Sequence, residues 1–432
     1  MRIALVNPSW SFEGSIYFGC REPHLPLEYG YATALLEGDG HEVELLDGQL
    51  DGLDPEIIRE RHQRFAPDMT VVTTAPSYLF WRCAPPELRV PQQTLAALRD
   101  SSRRTVAIGP HASTTPAAVL RKLGVDIAVL GESEETLREL ANTPPEDWHT
   151  LPHTASLAGG RPDVRGTIRQ ADMSALPALR WPAASVRRHA HHHHRFDADP
   201  RGPGAEMETS RGCPYHCSFC AKENFRNAYR KRPLAVILDE LDALIAQGIE
   251  YVYFIDEIFL PNRELLEALV RRPVIFGVQT RIDLWTEPML ELLGRAGCVS
   301  IEAGVESISA EGRDRLDKQS RLSTDQMTAR LVHARDHVPF VQANLIDARV
   351  DDPGAVEAWR RRLSDAGVWA NTPVPLFPYP GSPDYGKLWG LPDDEAWERA
   401  LAYYLERHRA FSDIQDASPR PLSDLEQPLH AR

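Results

Sequence analysis

The chain has 432 residues, enough for two or three domains, and sets 48 Lys and Arg against 62 Asp and Glu for a formal net charge of −14. That acidic balance argues against sequence-independent nucleic-acid binding, which rests on neutralising phosphates, and no apolar run reaches the roughly 18 residues of a membrane span. The opening MRIALVNP reads as a strand and not as a signal peptide, so a cytoplasmic chain is expected, in which clustered cysteines read as metal ligands before disulfides.

In chain order, five apolar runs come first: RIALVNP, HEVELLDG, DMTVVTTAP, RTVAIGP and VDIAVLGE. They alternate with the helical segments LEYGYATALLEG, PEIIRERHQRF, VPQQTLAALRD and TTPAAVLRKLG. Strands that are apolar throughout, separated by helices, predict a parallel sheet covered on both faces. Residues 1–142 therefore read as a doubly wound, Rossmann-like domain of the flavodoxin type. Ligands of such a sheet sit at the C-terminal ends of its strands, here Asn7–Trp10, Asp47–Gly48, Thr73–Tyr78, Gly109–Ser113 and Gly131–Ser133. The phosphate fingerprints G-x-G-x-x-G and G-x4-G-K-[ST] are absent.

Residues 143–204 break the rhythm. Rich in Pro, Arg and His, they read as linker, with a short strand pair near RGTIRQA. They include RRHAHHHHRF, where His189 and His191–His194 read as a solvated inter-domain loop; a metal site, a proton relay or a polar wall beside the substrate are the functional alternatives. The alternation returns over residues 205–390 with AEMETSR, YVYFID, VIFGVQTR, VSIEAGVE, FVQANLIDARV and WANTPVPLF. Gly248 stops the first intervening helix. Parallel strands with crossover helices predict a partial (β/α)6 TIM-like barrel, with chemistry at the C-terminal ends of its strands. Residues 391–432 read as one helix and a polar tail.

Cys213, Cys217 and Cys220 follow the first barrel strand with the spacing C-x3-C-x2-C. A cubane iron–sulfur cluster that only carries electrons takes four thiolates. Three leave one iron open for a substrate, as on a catalytic metal. A zinc site completed by His216, or three unrelated buried thiols, are the alternatives.

The spacing, with Phe219 before the last cysteine, resembles the radical S-adenosylmethionine (SAM) superfamily. The resemblance implies a 4Fe-4S cluster on the three cysteines, SAM chelated through its amino and carboxylate groups, and reductive cleavage to a 5′-deoxyadenosyl radical. An electron donor such as flavodoxin or ferredoxin is expected with it. It also implies SAM contacts at the strand ends, beginning with Phe219 itself. Asp256 and Glu257 in YVYFIDEIF would take the amino group. Gln279 and Arg281 stand with Asp283 in VQTRIDL, the arginine suited to a bidentate contact with the carboxylate. Glu306 and Ser307 in VSIEAGVES would take the ribose or the methionine part, and the turn FPYPGSPDY would lie near the adenine. Without the resemblance these stretches read as an acidic loop and a plain Pro-Gly turn.

The run LVNPSW…PLEYGYATALLEGDGHEVELLDG, with AIGPHASTTPAAVLRKLGVDIAVLGESEETLREL after it, resembles the cobalamin-binding domain fused ahead of many radical SAM enzymes. The likeness then covers about residues 1–390. It implies a corrinoid on the strand ends, with Thr73, Thr74, Ser77, Gly109, His111, Gly131, Glu132 and Ser133 as contacts. Many such domains ligate cobalt through D-x-H-x-x-G, but NPSWSFEGS after the first strand holds no histidine. Cobalamin is therefore expected base-off with no histidine ligand. Tyr78, Phe80, Trp81 and Arg82 read either as lining between cobalamin and barrel or as a loop anchor. Cys20, Cys83 and Cys298 read as plain small apolar residues.

The function so implied is a cobalamin-dependent radical SAM enzyme acting on a small-molecule substrate. Its commonest form methylates an unactivated carbon, or a phosphinate phosphorus, with a small metabolite or a sugar- or lipid-linked intermediate as the expected substrate. Cyclisation, ring contraction or oxidation without methyl transfer is the alternative on the same scaffold. A corrinoid and iron–sulfur redox-sensing module is the non-catalytic one, and three cysteines rather than four favour the enzyme, since a sensor needs no open iron.

Overall fold

The computed structural model describes residues 1–11, 23–76, 84–188, 203–411 and 420–421. Its first sheet contains β1 (Arg2–Asn7), β2 (Glu42–Asp47), β3 (Met69–Thr73), β4 (Thr105–Ile108), β5 (Ile127–Val129), β6 (Thr154–Ala158) and β7 (Arg161–Arg165). The strand order is β2-β1-β3-β4-β5-β6-β7. β1 to β5 pair in parallel, and each coincides with one of the apolar runs; their order is that of flavodoxin-type sheets. Both faces are covered, which is why the strands are apolar throughout. Ile3, Leu5, Val71, Val106 and Ile108 pack with Tyr29, Leu36, Leu137 and Leu140 on one side. Ala4, Val6, Val72 and Ala107 pack with Ile58, Leu95, Leu98 and Val119 on the other.

β6 and β7 are antiparallel and extend this sheet, although they lie in the stretch expected to be linker. Gly159 and Gly160, at φ 57° and 78°, close the hairpin between them. A two-residue turn needs left-handed backbone at both central positions to match the strand twist, and glycine adopts it without a steric penalty. The Pro and Arg content of RPDVR is tolerated because β7 is an edge strand. The strand pair thus sits just ahead of RGTIRQA, whose Arg169 makes a single bridge to Gly131.

The second sheet starts with β8 (Gly204–Met207). A short antiparallel pair, β9 (Ser210–Arg211) and β10 (Arg230–Lys231), then brackets the cysteine loop. β11 (Tyr251–Phe254), β12 (Ile275–Thr280), β13 (Cys298–Glu306), β14 (Phe340–Asp347), β15 (Trp369–Ala370) and β16 (Val374–Pro375) follow. The order is β8-β11-β12-β13-β14-β15, with β16 beside β14, all pairings parallel. This is an open, partial TIM-like barrel. Its core joins strand residues such as Met207, Val252, Val278 and Ile301 to helix residues such as Leu241, Leu266, Leu293 and Leu331.

The C-terminal helix Ala396–Arg407 returns to the first domain. Lys122 Nζ donates to the Asp394 carbonyl at 2.9 Å, and Trp397 Nε1 donates to Thr115 Oγ1 at 3.1 Å. Among the described residues no helix is long and apolar enough to cross a membrane. Ser77, Tyr78, Phe80, Trp81, Arg82, Cys20, Cys83, His189 and His191–His194 lie outside the described residues.

Candidate functional site

The cysteine loop leaves the barrel at the C-terminal end of β8, through Gly212. This glycine has φ 76°, and a Cβ there would lie 2.1 Å from the Ala228 carbonyl oxygen. Only glycine permits that turn. The loop is held by its own backbone. Lys222 Nζ donates to the carbonyls of Cys213 at 2.7 Å and Asn227 at 3.2 Å. Ser218 N donates to Leu316 O, and Asp384 N to Ser218 O, both at 2.9 Å. The second of these ties the loop to the turn FPYPGSPDY.

The thiols of Cys213, Cys217 and Cys220 are free and partly accessible. Burial raises the pKa of each, that of Cys220 to about 12. Such thiols stay neutral alone and ionise on a cationic metal centre, as ligands do. Cys298 differs: it is buried at the start of β13 and donates to the Ser300 carbonyl at 3.3 Å. His216, the candidate fourth zinc ligand, is exposed and faces Glu223, Nδ1 to Oε1 3.0 Å. Among the described residues, one group of three metal-binding side chains gathers within 4.8 Å, and it includes neither these cysteines nor His216. Thiolates on separate irons of a cubane need no such crowding, so the arrangement fits a cluster better than one zinc ion. Phe219 lies within the loop, directly before Cys220, and is half-buried.

Around this loop the ends of β12 and β13 present polar atoms with valence to spare. Arg281 is fixed by Asp283, with bonds of 3.1 and 2.8 Å. Its guanidinium carbon lies 4.0 Å above the ring of Tyr215, in the cysteine loop. Its Nη1 is buried without a partner, and so is Oε1 of Gln279. A buried polar atom without a partner is one that water or a ligand can satisfy. Glu306 ends β13 at φ 66°, a left-handed conformation uncommon for a non-glycine residue. It accepts from Lys318 Nζ at 2.8 Å and helps line a cavity of about 300 Å³ with Leu345, Ile346, Asp347 and Thr372.

Three residues expected at SAM are bonded within the chain. Asp256 is buried and accepts from Thr209 N at 2.7 Å, Thr209 Oγ1 at 2.5 Å and Ser210 Oγ at 2.6 Å. Burial lifts its pKa to about 7 against these bonds. It ties the end of β11 to the chain leading into the cysteine loop. Glu257 accepts from Gly212 N at 2.9 Å and Arg226 Nη1 at 3.2 Å, and so braces the loop from below. Ser307 is buried and donates to Asp351, whose oxygens lie 2.8 and 2.7 Å away.

The edge expected to hold the corrinoid divides in the same way. Thr73 Oγ1 donates to the Ala75 carbonyl at 2.7 Å, whereas Thr74 is buried with its hydroxyl unpartnered. Gly109 has φ 107°, and its carbonyl accepts from Ser113 Oγ at 3.0 Å, which in turn accepts from Gly131 N at 2.8 Å. Gly131 is required by the fold: a Cβ there would lie 2.3 Å from the Arg169 carbonyl oxygen. His111 is fully buried, 4.1 Å from the Trp397 ring between centroids. Burial draws its pKa down to about 3, partly offset by the backbone of Pro85. It packs under the C-terminal helix, and neither ring nitrogen has a hydrogen-bond partner among the described residues. Ser133 is buried, and its carbonyl accepts from Leu137 N in the following helix. Glu132 is buried and accepts from Ala171 N at 2.8 Å, Arg211 Nη1 at 3.2 Å and Arg230 Nη1 at 3.0 Å. Burial opposes its charge, yet these guanidiniums hold its pKa at about 2.

Glu132 belongs to a cluster that sequence reasoning missed. Arg211, fully buried, pairs with Glu132 at 3.2 Å and with Glu134 and Glu208 at 2.7 Å. Arg226 pairs with Glu208 and Glu257, Arg230 with Glu132, and Arg232 with Glu240. Glu132 and Glu134 come from the first domain, and the arginines from the flanks of the cysteine loop. The signal was present: arginines crowd both sides of that loop in an acidic chain, and GESEE ends β5.

A model of the B12 binding domain matches residues 21–141, and one of the radical SAM superfamily matches residues 207–345. The hopanoid C-3 methylase of Methylococcus capsulatus is 25% identical over 434 residues, covering 96% of this chain and 76% of that protein. The anaerobic magnesium-protoporphyrin IX monomethyl ester cyclase of Cereibacter sphaeroides is 24% identical over 375 residues, covering 80% and 56%. The radical SAM methyltransferase TsrM of Kitasatospora setae, solved with tryptophan and aza-SAM, aligns with a TM-score of 0.72 at 19% identity, covering 100% of this chain and 81% of that one. The chain spans 66%, 56% and 60% of the length of three curated relatives it matches.

Proposed function

The chain belongs to the radical SAM enzymes that carry an N-terminal B12-binding domain, and on that premise we propose that it methylates an unactivated carbon of a small molecule. The observation that carries this reading is the set of three free thiols beside the unpartnered Nη1 of Arg281 and Oε1 of Gln279. When bound, a 4Fe-4S cluster with SAM supplies a 5′-deoxyadenosyl radical, and cobalamin supplies a transferable methyl group.

The protein's own share is to hold and orient. Cys213, Cys217 and Cys220 would hold the cluster through their thiolates. Arg281, kept rigid by Asp283 and Tyr215, offers Nη1 to the carboxylate of SAM. Gln279 Oε1 accepts from its amino group. Glu306, steadied by Lys318, turns its second oxygen to a ribose hydroxyl at the mouth of the cavity. On the first domain, the Thr74 hydroxyl and the Cβ-free surface of Gly109 suit the amide-rimmed corrinoid. Asp256, Glu257, Glu132 and Arg211 act behind these groups by fixing the loop and the seam. An external donor of the flavodoxin or ferredoxin type delivers the electron.

No D-x-H-x-x-G follows β1, so cobalamin is proposed to be held without a histidine ligand from that motif. Nitrogen superhyperfine splitting in the electron paramagnetic resonance of its Co(II) form would contradict that.

The decisive experiment is product analysis with anaerobically reconstituted enzyme, cobalamin, SAM and a reductant. S-adenosylhomocysteine together with 5′-deoxyadenosine is expected. Deoxyadenosine alone overturns methyl transfer in favour of cyclisation or oxidation, and neither product overturns the radical reading itself.

A further inference from the structure

The helices Glu287–Arg295 and Thr324–His337 pack side by side on the outside of the barrel and lead into β13 and β14. Gly294 allows the contact: a Cβ there would lie 2.4 Å from the His337 carbonyl oxygen. Across this contact Glu291 meets His333 and His337, which stand one helical turn apart on a single face. The ligand atoms of the three side chains all lie within 4.8 Å of one another. His333 Nε2 is 3.9 Å from Glu291 Oε1, beyond hydrogen-bond reach, and is shielded from water without a partner. The two imidazole centroids are 4.8 Å apart and inclined at 54°. Both helices end where their following strands begin, so the group lies on the face of the barrel opposite the cysteine loop.

We propose that Glu291, His333 and His337 form a second metal site, for a zinc-class divalent ion with water in the fourth position. Two imidazoles and one carboxylate are a mononuclear nitrogen–oxygen donor set, and bonds of about 2 Å give a tetrahedral edge of about 3.3 Å. The present spacing closes to that edge by small rotations of Glu291 and His337, whose side chains face solvent. The ion satisfies the orphaned Nε2 of His333 and bridges the two helices. Because the site exists only in the folded chain, binding stabilises the fold by linkage. The site is independent of the cluster chemistry and stands whether or not that reading holds.

The test uses the full chain, anaerobically loaded with its cluster so that Cys213, Cys217 and Cys220 are occupied. His189 and His191–His194 are replaced by Asn throughout, so that this run of imidazoles does not compete. Titration calorimetry with Zn²⁺ is expected to find one equivalent per chain, together with a rise in Tm. Glu291→Gln and His337→Asn are expected to weaken binding at least tenfold and to abolish the rise. Substituted Cu²⁺ is expected to show splitting from two nitrogens, falling to one in His337→Asn. No uptake of Zn²⁺ by the parent, or equal affinity in the variants, overturns the proposal.

Discussion

Two charged regions lie on either side of the cysteine loop, and they are built on opposite rules. At the barrel mouth, Arg281 Nη1 and Gln279 Oε1 are buried with no hydrogen-bond partner among the described residues, and Glu306 pairs with Lys318. At the domain seam, Arg211, Arg226 and Arg230 face Glu132, Glu134, Glu208 and Glu257, and the members are bonded to one another. Buried charge is tolerated only when neutralised. The seam neutralises its charges among its own members, although Glu134 Oε2 and Arg226 Nε are left without a hydrogen bond. The mouth has no such network, and under the proposed function the free atoms of Arg281 and Gln279 are met by SAM. Residue type does not separate the two regions; mutual charge pairing does.

The sharpest way to probe that contrast is at the mouth. Cys217→Ala in reconstituted protein is expected to lower iron from about four per chain to near zero, while the unfolding midpoint of the metal-free chain stays put. Full iron in this variant would end the cluster assignment.

At the seam the expectation reverses. Arg211→Ala removes the partner of Glu134 and one of the partners of Glu132 and of Glu208, and should cost about 3–5 kcal/mol of stability by urea denaturation. A loss below about 1 kcal/mol would mean that the carboxylates are hydrated and that the seam is no closed cluster.

A third measurement uses Asp256. Its native pKa near 7 lies above the unfolded value of about 4. Between those values the folded chain holds a proton that the unfolded chain has lost, so this carboxyl makes stability fall as pH rises through the window. The slope is at most about 1.4 kcal/mol per pH unit. Asp256→Asn should remove that slope, and parallel pH profiles for the two proteins would contradict the assignment.

The smaller effects separate two neighbours in the site. Arg281→Lys cannot reproduce the fork and should weaken SAM about tenfold, or 1.4 kcal/mol, with little change in stability. Ser307→Ala should do the opposite, losing about 1 kcal/mol of stability through its bonds to Asp351 and leaving SAM affinity unchanged. Equilibrium binding and denaturation on the same preparations decide between them, and an exchange of the two outcomes would return Ser307 to the ligand.

The amino-acid sequence determined by itself whatever depends on neighbours in the chain. Apolar runs bounded by helices yielded five parallel strands in the first domain and the parallel barrel strands in the second, because a strand buried on both faces must be apolar throughout. The spacing of Cys213, Cys217 and Cys220 placed the thiols on one loop at a strand end, because covalent distance guarantees proximity. The hairpin of β6 and β7 was legible as a short strand pair near RGTIRQA, and it lies just ahead of that stretch, about the glycine pair 159–160. Tertiary structure alone decided which partner each polar side chain took. Asp256 and Glu257 are adjacent, yet one closes on Thr209 and Ser210 and the other on Gly212 and Arg226. Glu132 sits at a ligand-binding strand end, yet arginines from the other domain reach it. His111 lies in the short helix Pro110–Thr114 after β4, yet a tryptophan 286 positions later covers it. Strand formation is local, but a buried charge or ring takes whichever distant group neutralises or fills it, and no periodicity in the chain encodes that choice.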